Sequence, residues 1–386
     1  MSTQVSIAAS EAMAGSRLRK RPARYRAYRL HSPSDPFFAA FPHAGAFQQE
    51  RFMAALFATI APEAGALPIL IGVEDETGQP LAWFAFTLRR RLGARLLEGL
   101  DLDVTDYFSP PLAPGKEVDP EALWQSVLAA LPEADAVTLK KVPQRLQGHA
   151  HALSGWRKLR AMGASAHSLT LRGERGTLLD LTELSVAKDM RRKSRKLAAA
   201  GEVTFSLAAT SAETEAALEK LFQFRQERFA ALGRPDPLAS PAWREFYRTL
   251  VTGHEPIARI FTLHVGNETV ACVYCLSQGE VLTLIIPAMS SDPAWTPGSP
   301  GLVALYRTLE WAQVQGYRVF DLSVGSLDYK HRFNTDQVEL FEHACLLNPR
   351  GALAFFDAEL RRLLRGRMHD PKWRRILAPL RRGRGS

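Results

Sequence analysis

The sequence predicts an α/β (α+β) protein made of two tandem domains of one type, each on a mixed, largely antiparallel sheet. Three observations predict it. The order helix, three strands, long loop, helix, strand occurs twice along the chain. Turn dipeptides (Thr77-Gly78, Gly266-Asn267, Gln278-Gly279) stand between short apolar runs, where hairpins need them. The two copies lie roughly 180 residues apart, a period too long for a solenoid.

In the first copy the periodicity predicts a helix over Phe47–Ile60 and strands at Leu67–Val73, Pro80–Leu88 and Leu92–Leu97. An irregular stretch, Gly99–Asp119, precedes a helix at Pro120–Leu131 and a strand at Ala136–Val142. In the second copy helices cover Ala212–Leu232 and Pro241–Val251, and strands cover Ile257–Val265, Glu268–Ser277 and Val281–Pro287. A Pro- and Gly-rich loop, Ala288–Pro300, opens a helix at Gly301–Gln315, and a strand follows at Arg318–Ser323. The link holds strand-like segments at His167–Arg172 and Leu178–Leu181, a basic helix at Ser185–Ala199 and a strand at Glu202–Leu207. These elements divide the chain into a basic flexible tail (1–30), an N-terminal domain (31–180), a C-terminal domain (181–350) and a basic helical tail (351–386).

The chain has 386 residues, 46% of them hydrophobic and 23% charged, which excludes bulk disorder and fibrous repeats. It contains no apolar run of about 18 residues to span a membrane. Three cysteines make no disulfide framework. The N-terminus is Arg-rich without an apolar signal core, so a cytoplasmic location is expected. Of the net charge of +9, residues 1–30 contribute +6 and residues 361–386 contribute +9, leaving the middle at −6. A DNA-binding domain carries its basic surface on the folded part, so no DNA partner is expected. The C-terminal mixture of Phe, Leu, Trp and Arg suits a helix packed on the domain, or a peripheral membrane contact. Monomer and dimer stay open.

Four segments carry candidate chemistry. Gly298-Ser299-Pro300-Gly301 opens a helix, where unpaired amides favour a phosphate, although Ser299 and Pro300 also suit an ordinary helix start. Asp321 to Phe333 crowds polar groups beyond a strand end, where ligands bind in open α/β sheets. There Asp321 suits a base or orienter, Tyr329 an acid and Lys330 an electrostatic stabiliser, or else Asp321 caps a turn and Lys330 is solvated. Arg225 falls inside the apolar stripe of its helix and Arg228 at its edge. Either faces a cleft and binds an anionic substrate, or pairs locally with Glu227 or Asp236. The run Lys188–Lys196 is a solvated face or meets the phosphates of a cofactor, sugar nucleotide or RNA. Cys272-x-x-Cys275 lies on a strand, where residues three apart face opposite sides, and His149 with His151 lacks a third ligand, so no metal is expected.

Taken together, Arg228-Phe229, Gly233, the hairpin at Gly266-Asn267, Ser299-Pro300-Gly301, Gly316, Asp321 and Tyr329-Lys330-x-x-Phe333 resemble the CelD/BcsL-type acetyltransferases of the GNAT superfamily. These proteins are named for cellulose biosynthesis. The resemblance is strongest over Leu181–Leu347. Gly78-Gln79-Pro80-Leu81, Asp106-Tyr107 and Val137-Thr138-Leu139 match the family's degenerate first repeat. The resemblance implies two GNAT-like domains, similar to Fem-type transferases. It implies acetyl-CoA or another acyl-CoA as co-substrate, lying between Val281–Pro287 and Arg318–Ser323. It also implies an oxyanion-binding amide near Ile285–Ile286, a pyrophosphate at Ser299–Gly301, and Asp106 and Tyr107 on the substrate side. The acceptor would be an amine or hydroxyl of a saccharide or exopolysaccharide precursor. The usual Arg/Gln-x-x-Gly-x-Gly/Ala loop is absent and Fem-type relatives use aminoacyl-tRNA. A tRNA-dependent transferase is therefore one alternative, and a non-catalytic binding protein another.

Overall fold

The computed structural model describes residues 25–173, 176–325 and 328–355. Among the described residues twelve strands form one continuous sheet. The first half supplies β1 (Arg26–Leu30), β2 (Leu67–Glu74), β3 (Pro80–Arg91), β4 (Ala94–Gly99), β5 (Ala136–Pro143) and β6 (Arg160–Thr170). The second supplies β7 (Val203–Leu207), β8 (Ala258–Val265), β9 (Glu268–Gln278), β10 (Val281–Met289), β11 (Val319–Val324) and β12 (Asp336–Leu346). The helices are α1 (Glu50–Ala58), α2 (Ile60–Glu63), α3 (Pro120–Ala130), α4 (Ala187–Ala198), α5 (Ser211–Ala231), α6 (Pro241–Val251), α7 (Pro300–Val314) and α8 (Asp328–His331).

The sheet order is β1-β2-β3-β4-β5-β12-β6-β11-β10-β9-β8-β7, which reads as the same progression from either edge. Each half contributes four antiparallel strands, then a parallel partner. Its sixth strand crosses over: β12 lies beside β5 and β6 beside β11. The expected boundary at residue 180 falls between β6 and α4, yet β6 pairs with both β11 and β12. Residues 26–30, placed by the sequence in the basic tail, instead form edge strand β1 on β2. Tyr28 anchors it by donating to Glu74 at 2.8 Å. The remaining tail residues, 1–24 and 356–386, lie outside the described residues. Among the described residues no helix is long and apolar enough to cross a membrane.

Period-2 burial puts alternate residues of each strand into different cores. One core lies between the halves and gathers α1, α2, α5 and α6, with Phe52 against Phe246. A second packs α4 and α7 on the far face of the second half, and a third packs α3 on the far face of the first. Cys272 belongs to the first of these cores and Cys275 to the second, as strand alternation requires. Burial pushes the Cys272 thiol up to about 12, so it is inert.

The predicted helix over Phe47–Ile60 is broken into a short 3-10 turn, α1 and α2, and Thr59 interrupts it with φ −112° and ψ −72°. In each half two neighbouring strands run parallel for three rungs and then part. In the first half β4 meets β5 at Leu96↔Ala136, Leu97↔Val137 and Glu98↔Thr138. That gap is filled by the protein's own chain. The amide of Phe108 donates to the Lys141 carbonyl at 2.9 Å, and its ring lies on Gly99 and Phe86. A Cβ on Gly99 would stand 2.7 Å from Phe108 Cδ2. Gly99→Val is therefore expected to destabilise the protein by about 1–3 kcal/mol through overpacking. A thermal melt unchanged from wild type would show that the Phe108 plug yields freely.

Candidate active site

The second fork, between β10 and β11, stays open, and its own side chains hold it so. Pairing runs through Val281↔Val319, Leu282↔Phe320 and Thr283↔Asp321 and then stops. Beyond Asp321 the backbone of β11 no longer faces β10. Ser323 takes a left-handed φ of 62°. The amide of Ser323 donates to the Asp321 carboxylate at 2.7 Å. Lys330 Nζ donates to the carbonyls of Ser323 and Val324, each at 3.0 Å. Groups that would continue the ladder are thus occupied by side chains, as buried backbone groups must be. The first open rung is bridged by the Ser323 hydroxyl, which donates to the Leu284 carbonyl at 2.8 Å.

On β10 the register against β9 slips between Leu284 and Ile286. Ile285 is the extra residue of a bulge and is left out of the ladder, which aims its backbone elsewhere. Ile286, by contrast, pairs with Tyr274 and is buried. Of the two residues expected to supply an oxyanion amide, Ile285 is the one left out of the ladder with β9.

Alternation along β11 sorts its side chains by face. Phe320 and Leu322 join the α7 core, while Asp321 and Ser323 face the core between the halves. There Asp321 meets the first half: the Tyr107 hydroxyl donates to its Oδ1 at 2.8 Å. Tyr107 rests on Phe47, and its carbonyl accepts from Gln48 at 3.3 Å. Burial, countered by the Ser323 amide and Tyr107, raises Asp321 to about 6. Burial lowers Lys330 to about 8, while the negative charges of Asp106 and Asp321 act in the other direction. Asp106 is raised by burial, and Lys141 and Lys330 oppose that. Asp106, Tyr107, Asp321 and Lys330, far apart in sequence, therefore form one cluster at the fork. Perturbed carboxylates beside a lysine in a gap between strands mark a candidate functional site.

Tyr107→Phe is expected to shift the acid limb of activity to higher pH, because Asp321 loses a donor that favours its ionised form. A pH–rate profile checks this. A lowered plateau with an unmoved limb would mean that Tyr107 only fills space.

Tyr329 is not hydrogen-bonded into this cluster. Its ring packs near Phe333, and burial raises its phenol to about 12, with the Arg228 charge opposing. Arg228, exposed on α5, is near enough for its charge to act on the Tyr329 phenol. Arg225 turns elsewhere: its Nε pairs with Asp236 at 3.2 Å and its guanidinium lies over Phe229. Its place in the apolar stripe is explained by that local partner.

At the start of α7, Pro300 occupies the first helical position and Ser299 the N-cap position, but Ser299 makes no side-chain cap. It sits at φ 44°, and its hydroxyl turns to the Thr296 carbonyl. Gly298, expected to let a pyrophosphate approach, is instead buried against α4, where a Cβ would overlap Leu197. Gly301 remains half-buried beside the flexible Met289 side chain, which is 43% exposed and free to move aside. The small-residue opening of α7 is thus narrower than the motif suggests and begins at Ser299.

The sequence reading missed Ser323 and Tyr247. Ser323 gave no signal, since a serine with positive φ is recognisable only once its neighbours are placed. Tyr247 is buried on α6, and its phenol feels Arg225, Asp106 and Asp236 together.

A family model described as "Acetyltransferase (GNAT) domain" matches residues 185–331, which contain the open fork and Lys330. No curated protein sequence matches the chain. Among solved structures, the chain is similar to FemX, with TM-score 0.56 and 12% identity, over 85% of this chain and 99% of that one. It is also similar to the C-terminal domain of a putative lysylphosphatidylglycerol synthetase from Agrobacterium fabrum. That match has TM-score 0.52 and 14% identity, over 81% of this chain and 95% of that one. At such identities the likeness is one of fold. Residues 185–331 thus match a GNAT acetyltransferase domain model, within a mixed α/β fold whose two halves share one order of strands.

Proposed function

We propose that the protein is an acyltransferase that moves an acyl group from acyl-CoA to an amine or hydroxyl of a saccharide-type acceptor in the cytoplasm, and that the donor lies in the fork between β10 and β11. One observation carries this reading: Asp321 stands on the last paired rung, and it and Lys330 occupy the β11 backbone groups beyond that rung, which keeps the strands apart. The first half, whose fork is filled by Phe108, is read as a partner that completes the acceptor side through Asp106 and Tyr107.

In this reading acyl-CoA supplies an activated thioester, and the protein supplies position and charge. Asp321, ionised above about pH 6, takes the proton of the attacking amine or hydroxyl. The bulge at Ile285 offers a backbone amide to the developing oxyanion. Lys330 balances the carboxylates and holds β11 away from β10. Tyr329, neutral throughout this range, offers a hydrogen bond to the departing sulfur. Holding both reactants at the fork removes much of the entropic barrier to a bimolecular step.

Calorimetry with acetyl-CoA, longer acyl-CoA and CoA tests the donor, and release of free thiol on adding amino sugars tests the reaction. Absence of binding to every CoA species would overturn the reading. FemX and the synthetase domain favour the fold without fixing its donor. A nuclease-sensitive activity with charged tRNA would replace acyl-CoA by aminoacyl-tRNA.

A further inference from the structure

Helix α4 has no part in the chemistry above, yet it carries six cations in twelve residues. Asp189, the one acid on the helix, is already shared by Arg192, Lys193 and Arg332. Lys188, Arg191, Arg195 and Lys196 are exposed and make no ion pair with any described residue. Like charges four apart, such as Lys188 and Arg192 or Arg191 and Arg195, disfavour the helix. Packing through Ala187, Met190 and Leu197 explains why α4 forms, but not why its outer face is so basic.

Its location suggests the reason. One end of α4 is fastened to the segment that leaves β11. There the Ser185 hydroxyl donates to the Arg332 carbonyl at 2.6 Å, and Arg332 donates to Asp189 at 2.6 Å. The other end lies on the turn that leaves β10, with Leu197 over Gly298. The helix therefore bridges the mouth of the fork on the α7 face, opposite the face where Asp321 and Tyr107 meet. Anything that threads the fork with its reactive end at Asp321 leaves its other end beside α4 and the amino end of α7. Both features favour negative charge.

We propose that the exposed basic face of α4, chiefly Arg191, Arg195 and Lys196, receives the nucleotide phosphates of the acyl donor, the pyrophosphate and 3′-phosphate of CoA. This inference rests on reading the fork as the donor slot. It assigns to α4 the cationic role that the α7 loop leaves unfilled, since Gly298 is closed by Leu197 and the turn from Thr296 to Gly301 contains no Lys or Arg. CoA fits better than RNA. The helix is about 18 Å long, a span suited to a few phosphates, and no aromatic side chain on α4 offers a base a stacking platform.

The test is titration calorimetry of CoA and of 3′-dephospho-CoA against wild type, Arg191→Glu and the double variant Arg195→Glu/Lys196→Glu. All three positions are exposed, and thermal melts confirm that the variants fold. Wild type is expected to bind CoA about tenfold more tightly than dephospho-CoA, as charge-assisted contacts allow. The double variant is expected to lose that preference together with at least tenfold in CoA affinity. Variants that bind CoA as wild type does would overturn the role of α4 and leave the fork as donor slot intact. A wild-type protein that binds no CoA would overturn both. Binding of tRNA by wild type, lost in the double variant and without any CoA preference, would reassign α4 to RNA.

Discussion

Asp321→Asn is expected to lower acyl transfer by at least about 10²-fold, the range of a lost general base, while donor affinity stays within about twofold. Asparagine keeps an oxygen for the Ser323 amide, so the fork retains its shape, but it cannot take a proton. In wild type the rate should rise as Asp321 ionises near pH 6 and fall as Lys330 discharges near pH 8. The variant should lose the rising limb and keep the falling one. A variant with wild-type turnover and an unchanged profile would remove Asp321 from the chemistry.

Lys330→Met should act on both the fold and the rate. It leaves the Ser323 and Val324 carbonyls without their donor and removes the cation beside Asp106 and Asp321. Loss of one member of a buried charged cluster costs about 3–5 kcal/mol. Denaturant unfolding should read that loss directly. With nothing holding β11 aside, the open rungs are expected to close and donor affinity to fall, which calorimetry reads separately. Adding Asp321→Asn should recover part of the stability, because the double variant no longer buries an uncompensated charge. A stable Lys330→Met protein with full donor affinity would show that the fork stands without its lysine.

Several of these residues were legible beforehand for definite reasons. The strands β2, β3, β8, β9 and β10 show apolar runs closed by Gly-containing turns, and α7 shows a broad apolar stripe after Pro300. Asp321 and Lys330 stood out because polar residues crowd the end of a buried strand. Asp106 and Tyr107 were suggested by resemblance alone, since nothing in their spacing ties them to a strand more than 200 residues away. Arg225 stayed ambiguous, because a cation in an apolar stripe looks the same whether its partner is a ligand or Asp236. Gly298 stayed ambiguous too, because a small residue before a helix serves a phosphate or a packed leucine equally well.

β6, β12 and β1 were unrecognised or only partly found. β6 reads RAMGASAHSLT, too small and polar to announce a strand. It is one only because β11 and β12 satisfy its backbone on both sides.

The duplicated order of elements and the polar strand end are readable from the amino acids, because periodicity, turn chemistry and local charge act over a few residues. That the halves exchange their sixth strands, that Phe108 closes one fork and that Asp321 and Lys330 hold the other open emerges only in the folded chain. Those outcomes depend on which backbone groups find partners across hundreds of residues, and hydrogen-bond satisfaction at that distance is a property of the whole fold.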